Sequence, residues 1–141
     1  MAPADKSLAA LIDTLGAEHR VLLPELARLA EEVTAPAESL KATFEQVVPL
    51  LGLPLDEHIA NEDHELFPAY AATGGDAGVL GFFTDEHREI LSLRDRLVAA
   101  IENGDDIGEI RSLVEELTDT LSSHMRREDE MLFPSMKGVF S

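Results

Sequence analysis

The chain has 141 residues, 45% of them hydrophobic, a formal net charge of -17 and no cysteine. That length is expected to make one domain, residues 1–141, with a substantial core. The charge argues against nucleic acid and anionic membrane as partners, which would repel it, and the missing thiols rule out disulfides, thiolate metal sites and cysteine nucleophiles. Any bound metal must use histidine and carboxylate.

Four long segments carry apolar residues at helical spacing, in chain order. The first covers residues 6–33, with Leu8, Leu11, Ile12, Leu15, Leu22, Leu26 and Leu29 as its apolar set. Asp5, Lys6 and Asp13 interrupt its start, and no stretch anywhere nears the ~18 apolar residues of a membrane span. Neither a leader nor a span is expected, and the expected location is cytoplasmic. The second segment, 37–72, starts within TAPAES; the third, 79–102, follows TGGDAG; the fourth, 107–136, follows NGDD. Strict alternation with β-branched residues is missing throughout. Pro24, Pro49 and Pro54 fall inside the helical patterns, where kinks or short breaks are expected. Long helices with short connections predict an all-α, antiparallel up-down-up-down four-helix bundle.

The second and fourth segments contain the same phrase twice. HIANEDHELFP at 58–68 returns as HMRREDEMLFP at 124–134, so that His58 and His124, Glu62 and Glu128, Pro68 and Pro134 are each 66 apart. The first and third segments echo each other through AEHR and DEHR, with His19 and His87 68 apart. The chain therefore reads as a duplicated helix pair, which gives the bundle a pseudo-twofold axis. On a helix, residues i and i+4 lie about 40° apart, so His58 shares a face with Glu62, and His124 with Glu128. His19 and His87 add an imidazole from each remaining helix. Four imidazoles and two carboxylates can then converge inside the bundle. Left without partners there, each costs several kcal/mol, which two metal ions would offset. Oxygen and nitrogen donors suit iron first, then manganese or zinc, and a carboxylate can join two ions through its two oxygens.

With LFP after both paired motifs, the pattern H…HxxxE…H…HxxxE resembles the hemerythrin-like, HHE cation-binding family over almost the whole chain. It differs from the ferritin-like signature, since no glutamate stands three residues before a histidine. The resemblance implies that His19 and His58 hold one iron, that His87 and His124 hold the other, and that Glu62 and Glu128 bridge them beside an oxo or hydroxo group. The oxygen-carrying members have a further histidine where this chain has Leu91, and an aspartate one place beyond Glu128. On that implied ligand set each iron keeps an open position. This points to redox reaction with peroxide, oxygen or nitric oxide rather than reversible oxygen carriage.

The remaining polar candidates weigh less. His64 lies about 240° around the helix from His58 and is expected to face solvent. Glu65 is expected exposed, with a place near the pocket as its alternative, and Tyr70 has a poor angle for reaching a metal. The Leu66–Phe67 and Leu132–Phe133 pairs read as caps closing the bundle end. Phe82, Phe83, Leu15, Leu23 and Leu91 are expected to line or shield the pocket. The function expected is a cytoplasmic non-haem di-iron protein binding or reducing a small oxidant. The alternative is a non-catalytic sensor or iron-handling module, for which no feature names a protein partner.

Overall fold

The computed structural model describes residues 3–140, so positions 1, 2 and 141 of the expected domain lie outside it. α1 spans Pro3–Glu31 and ends in a 3-10 turn, Glu32–Thr34. α2 (Ala37–Leu51) and α3 (Leu53–Asn61) lead into a π-helical turn, Glu62–Leu66, and then α4 (Phe67–Ala72). After α5 (Ala77–Glu102), α6 (Ile107–Arg127) runs into a second π-helical turn, Glu128–Leu132, and α7 (Phe133–Phe140). Among the described residues there is no strand. The helices form four rods, consistent with a four-helix bundle: α1, then α2 to α4, then α5, then α6 with α7. α6 packs against α5 and α1, and α1 also meets α2 and α7.

The rods begin and end for local reasons. Asp76 caps α5 by accepting from the backbone N–H groups of Gly78 and Val79, and Asp106 caps α6 by accepting from Gly108. Gly74 and Gly104 turn the chain between rods at φ of 97° and 67°, values that favour glycine.

Of the three expected proline interruptions, one breaks a helix. Pro54 sits in the first turn of α3, after the break at Gly52, where its missing N–H has no helical partner to lose. α1 runs through Pro24 and α2 through Pro49. Both prolines are exposed, so a carbonyl deprived of its partner can turn to water.

The core divides into two clusters. The larger contains Leu22, Leu26, Leu55, Ile59, Ile90 and Met125, and the smaller contains Leu15, Leu66, Phe67, Phe83, Leu132 and Phe133. On α1, His19 falls between Leu15 of the small cluster and Leu22 of the large one, and on α5, His87 falls between Phe83 and Ile90. His58 and Glu62 occupy the same gap on the second rod, as do His124 and Glu128 on the fourth. A polar layer thus cuts across an apolar core. No described helix is long and apolar enough to cross a membrane.

Candidate metal centre

Both π turns open on the repeated glutamate. The N–H of Phe67 donates to the carbonyl of Glu62, and that of Phe133 to Glu128, five residues apart in each case. Pro68 and Pro134 follow directly. A proline has no N–H, and its ring crowds the carbonyl four residues back, so widening the turn by one residue relieves the conflict. The wider turn brings two consecutive side chains inward, Leu66 with Phe67 and Leu132 with Phe133, all buried. Phe67 then stacks on His87 at 5.9 Å between ring centres, and Phe133 on His19 at 5.5 Å, each tilted by 11°. The Leu-Phe pairs are therefore more than end caps, because their rings set the planes of two imidazoles.

The six expected residues meet, and all are buried. Nε2 of His19 lies 3.1 Å from Nε2 of His58, and Nε2 of His87 lies 3.0 Å from that of His124. Glu62 reaches across the two pairs, with Oε1 2.9 Å from His87 Nε2 and Oε2 3.7 Å from His58 Nε2. Glu128 does the same, its Oε1 lying 3.2 Å from His19 Nε2 and 3.4 Å from His124 Nε2. Two groups that can hold a cation result, His19 with His58 and His87 with His124, and both glutamates belong to both groups.

The outward nitrogens are all engaged. Asp129 lies 2.8 Å from Nδ1 of His19, Glu18 2.7 Å from that of His58, Asp63 2.8 Å from that of His87, and Glu86 2.9 Å from that of His124. A carboxylate accepts the Nδ1–H, which fixes the tautomer and leaves the Nε2 lone pair pointing inward. Four lone pairs and two carboxyl groups therefore face one another. The four carboxyl oxygens of Glu62 and Glu128 are buried with no hydrogen-bond partner. The donor set fits cations: two imidazole nitrogens each about 2.1 Å from one ion stand about 3.0 Å apart when they meet it at a right angle and about 3.4 Å apart at a tetrahedral one, and both histidine pairs lie at the near end of that span.

Without a cation the layer is electrostatically strained. Burial works against charging His19 and His124, but Glu128 beside both, with Asp129 and Glu86 behind, outweighs it and holds them above their ordinary 6.5. Burial and then the neighbouring His19 push His58 down. Burial, then the charge of Glu128, raises Glu62 well above the usual carboxylate range. Glu128 itself is held well below that range, despite burial, by Glu62, His124 and His19.

Other expectations divide. His64 and Glu65 are exposed, and Tyr70 packs against Phe140 in the smaller cluster, away from the imidazoles. Phe83 and Leu15 are buried, with Phe83 edge-on to His124 at 5.2 Å, whereas Phe82 is half exposed beneath Arg127. Leu23 and Leu91 are half-buried and pack on the larger cluster. The wall beside the imidazoles is instead formed by Leu22 and Ile90, one residue earlier in each helix. The four outer carboxylates were missed, although a cue existed. Glu18 and Glu86 share the 68-residue offset of the histidines that follow them, and Asp63 and Asp129 the 66-residue offset of the glutamates before them.

Fold and site together define a helical protein with a buried histidine and carboxylate centre for metal cations. The model of the hemerythrin HHE cation-binding domain matches residues 10–136, and the chain belongs to that family. No curated protein and no solved structure matches it.

A histidine with a raised pKa contributes stability that is complete below its ordinary 6.5 and is lost as pH rises through its folded value. The raised carboxyl of Glu62 acts in the same sense, while the lowered His58 and Glu128 act only below 6.5 and 4.5 respectively. Cation-free protein should therefore lose melting temperature as pH rises above 6.5, read by calorimetry; a flat or rising profile would count against this charge layout. Separately, Asp129→Asn or Asp63→Asn should weaken metal retention by about 10- to 100-fold in a chelator competition, because each orients one imidazole.

Proposed function

We propose that the chain is a non-haem di-iron protein that binds or reduces a small oxidant, namely peroxide, oxygen or nitric oxide. It does so within a single domain whose rods alternate up and down. One observation carries this reading: Glu62 and Glu128 are shared between two histidine pairs, which is what a paired centre requires and an isolated mononuclear site does not. His19 and His58 would hold one ion, His87 and His124 the other, and the two carboxylates would bridge them alongside an oxo or hydroxo group. A donor set of nitrogen and oxygen without thiolate favours iron over softer metals, with manganese or zinc as the lesser choices. Iron with an open position supplies redox chemistry toward small oxidants.

The chain's own residues provide the setting. Phe67 and Phe133 cover two of the rings and exclude water from that side, so charges in the layer interact in a low dielectric. The outer carboxylates hold each Nε2 in position before any ligand arrives, so little reorganisation accompanies binding. The lack of cysteine in this sequence fits a reducing compartment such as the cytoplasm.

Protein purified from iron-replete cells should carry about two irons per chain and show the near-ultraviolet absorption of bridged ferric iron. Glu62→Ala and Glu128→Ala should each lose the paired centre, since two like-charged cations then face each other without an anion between them. His64→Ala, at an exposed position, should keep both ions. Two irons and an unchanged spectrum in either glutamate variant would sink the bridging assignment. Rapid disproportionation of added peroxide would place the protein among enzymes rather than sensors.

A further inference from the structure

The centre and its outer carboxylates come in matched pairs. So does the deep wall of the cavity of about 150 Å³ beside the imidazoles, where Leu22 pairs with Ile90, Leu55 with Leu121 and Ile59 with Met125 at the same 68- and 66-residue offsets. What stands behind the outer carboxylates is not matched. Behind Glu86 is Arg127, with one terminal nitrogen 2.6 Å from each carboxyl oxygen and its guanidinium 5.2 Å from the centre of the Phe82 ring. Glu86, thus held and only 15% exposed, bonds to Nδ1 of His124 at 2.9 Å. The counterparts of Arg127, Phe82 and Glu86 are Asn61, Thr14 and Glu18. Asn61 carries no charge, and Thr14 offers no ring and turns its hydroxyl back to the carbonyl of Ala10. Glu18 bonds to Nδ1 of His58 at 2.7 Å, but its side chain is 47% exposed and, among the described residues, no arginine is paired with it.

We propose that Arg127 is a positioning residue: through Glu86 it locks His124 and makes the His87 and His124 half of the centre slow to exchange its cation, so that cations enter and leave first at His19 and His58. The proposal rests on the paired centre put forward above, but not on iron being its metal. A cation leaves only as its ligands turn away from it. For His124 that turn breaks a bond to a carboxylate shielded from water and fixed by a guanidinium; for His58 it breaks a bond to a carboxylate that water already reaches and can satisfy at once. The Glu18 bond is the shorter of the two, so the difference lies in what surrounds each bond rather than in its length. Charge acts in the same direction. Arg127 offsets the negative charge of Glu86, whereas that of Glu18 stands open and draws an arriving cation to its side. Groups that orient metal-bound histidines are commonly worth about 10- to 100-fold in retention, so a firm grip on one of two such carboxylates separates the two release rates by about tenfold or more.

The experiment uses zinc, which nitrogen and oxygen donors bind whether or not the chain takes up iron. Release is followed on adding a chelator in such excess that the rate no longer depends on its concentration. Wild type is expected to release two ions per chain in two phases of equal size, about tenfold or more apart. Arg127→Asn gives the second half the residue of the first, at a side chain 36% exposed whose loss leaves the core filled. It should speed the slow phase by about tenfold and leave the fast one, merging the two. Arg127→Lys, which keeps the charge, should retain two phases. Asn61→Arg, which copies the guanidinium to the first half, should slow the fast phase toward the slow one. In metal-free protein, nuclear magnetic resonance should show the Nδ1–H of His58 exchanging with water about tenfold faster than that of His124, a difference that Arg127→Asn removes. A single phase in wild type overturns the proposal, and so does an Arg127→Asn variant that leaves the slow phase unchanged or quickens both phases alike, as general loosening would. Two-phase zinc release from a chain that takes up no iron would defeat the di-iron reading and leave the proposal standing. One zinc per chain would instead remove the paired centre, and the proposal with it.

Discussion

Four imidazoles and two carboxyl groups are buried in one layer of an otherwise apolar core, and most of the distinctive structure exists to make that tolerable. A leucine buried in the same place would stabilise the fold by about 1.5–3 kcal/mol, whereas an unpartnered ionised group costs more than that. The molecule meets the cost on the outward side with a carboxylate for every Nδ1. The inward side is left unmet, with the four oxygens of Glu62 and Glu128 lacking any hydrogen bond. Protein groups alone therefore do not complete the layer, and its donors are of the kind that could hold cations. The same layer explains why the core is two clusters, since it interposes polar side chains between them on all four rods.

The outer bonds also tie the rods together. Asp129 on the fourth rod holds His19 on the first, and Asp63 on the second holds His87 on the third. Glu18 and Glu86 complete the set by joining the first rod to the second and the third to the fourth. Each histidine is thus positioned by a neighbouring helix rather than by its own. The geometry of the centre depends on how the rods pack, and a cation bound there reports on that packing.

Much of this was legible in the sequence, and what was not has physical reasons. The spacing of His58 with Glu62 and of His124 with Glu128, their exact repetition, and the turn clusters around residues 73–78 and 103–106 located the rods and the six central residues. The π turns were not legible, because helical periodicity is judged over several turns and a single added residue barely disturbs it. Even so, a proline six residues after each glutamate was a cue to local widening. The outer carboxylates were hidden among 28 acidic residues, most of which face water, so composition could not single them out. Leu23 and Leu91 illustrate the limit of angular reasoning. They lie one turn from a central histidine, yet Leu22 and Ile90 face the cavity, because helix packing decides which of two adjacent leucine-like residues turns inward.

Duplication makes the departures from symmetry informative. The inner residues, the outer carboxylates, the stacked phenylalanines and the deep cavity wall all occur in matched pairs, so unmatched positions are where the two halves have been put to different uses. Glu86 is held under Arg127 with its side chain 15% exposed, while Glu18 makes the equivalent bond at 47% exposure and, among the described residues, has no arginine or lysine paired with it. A hydrogen bond in contact with water is weaker and opens more readily than one shielded and charge-assisted. His124 is consequently the more rigidly held of the two paired-motif histidines and His58 the more yielding. The yielding histidine is also the more open of the two, with 9% of its side chain exposed against 3% for His124, so its half of the layer has the greater room to adjust.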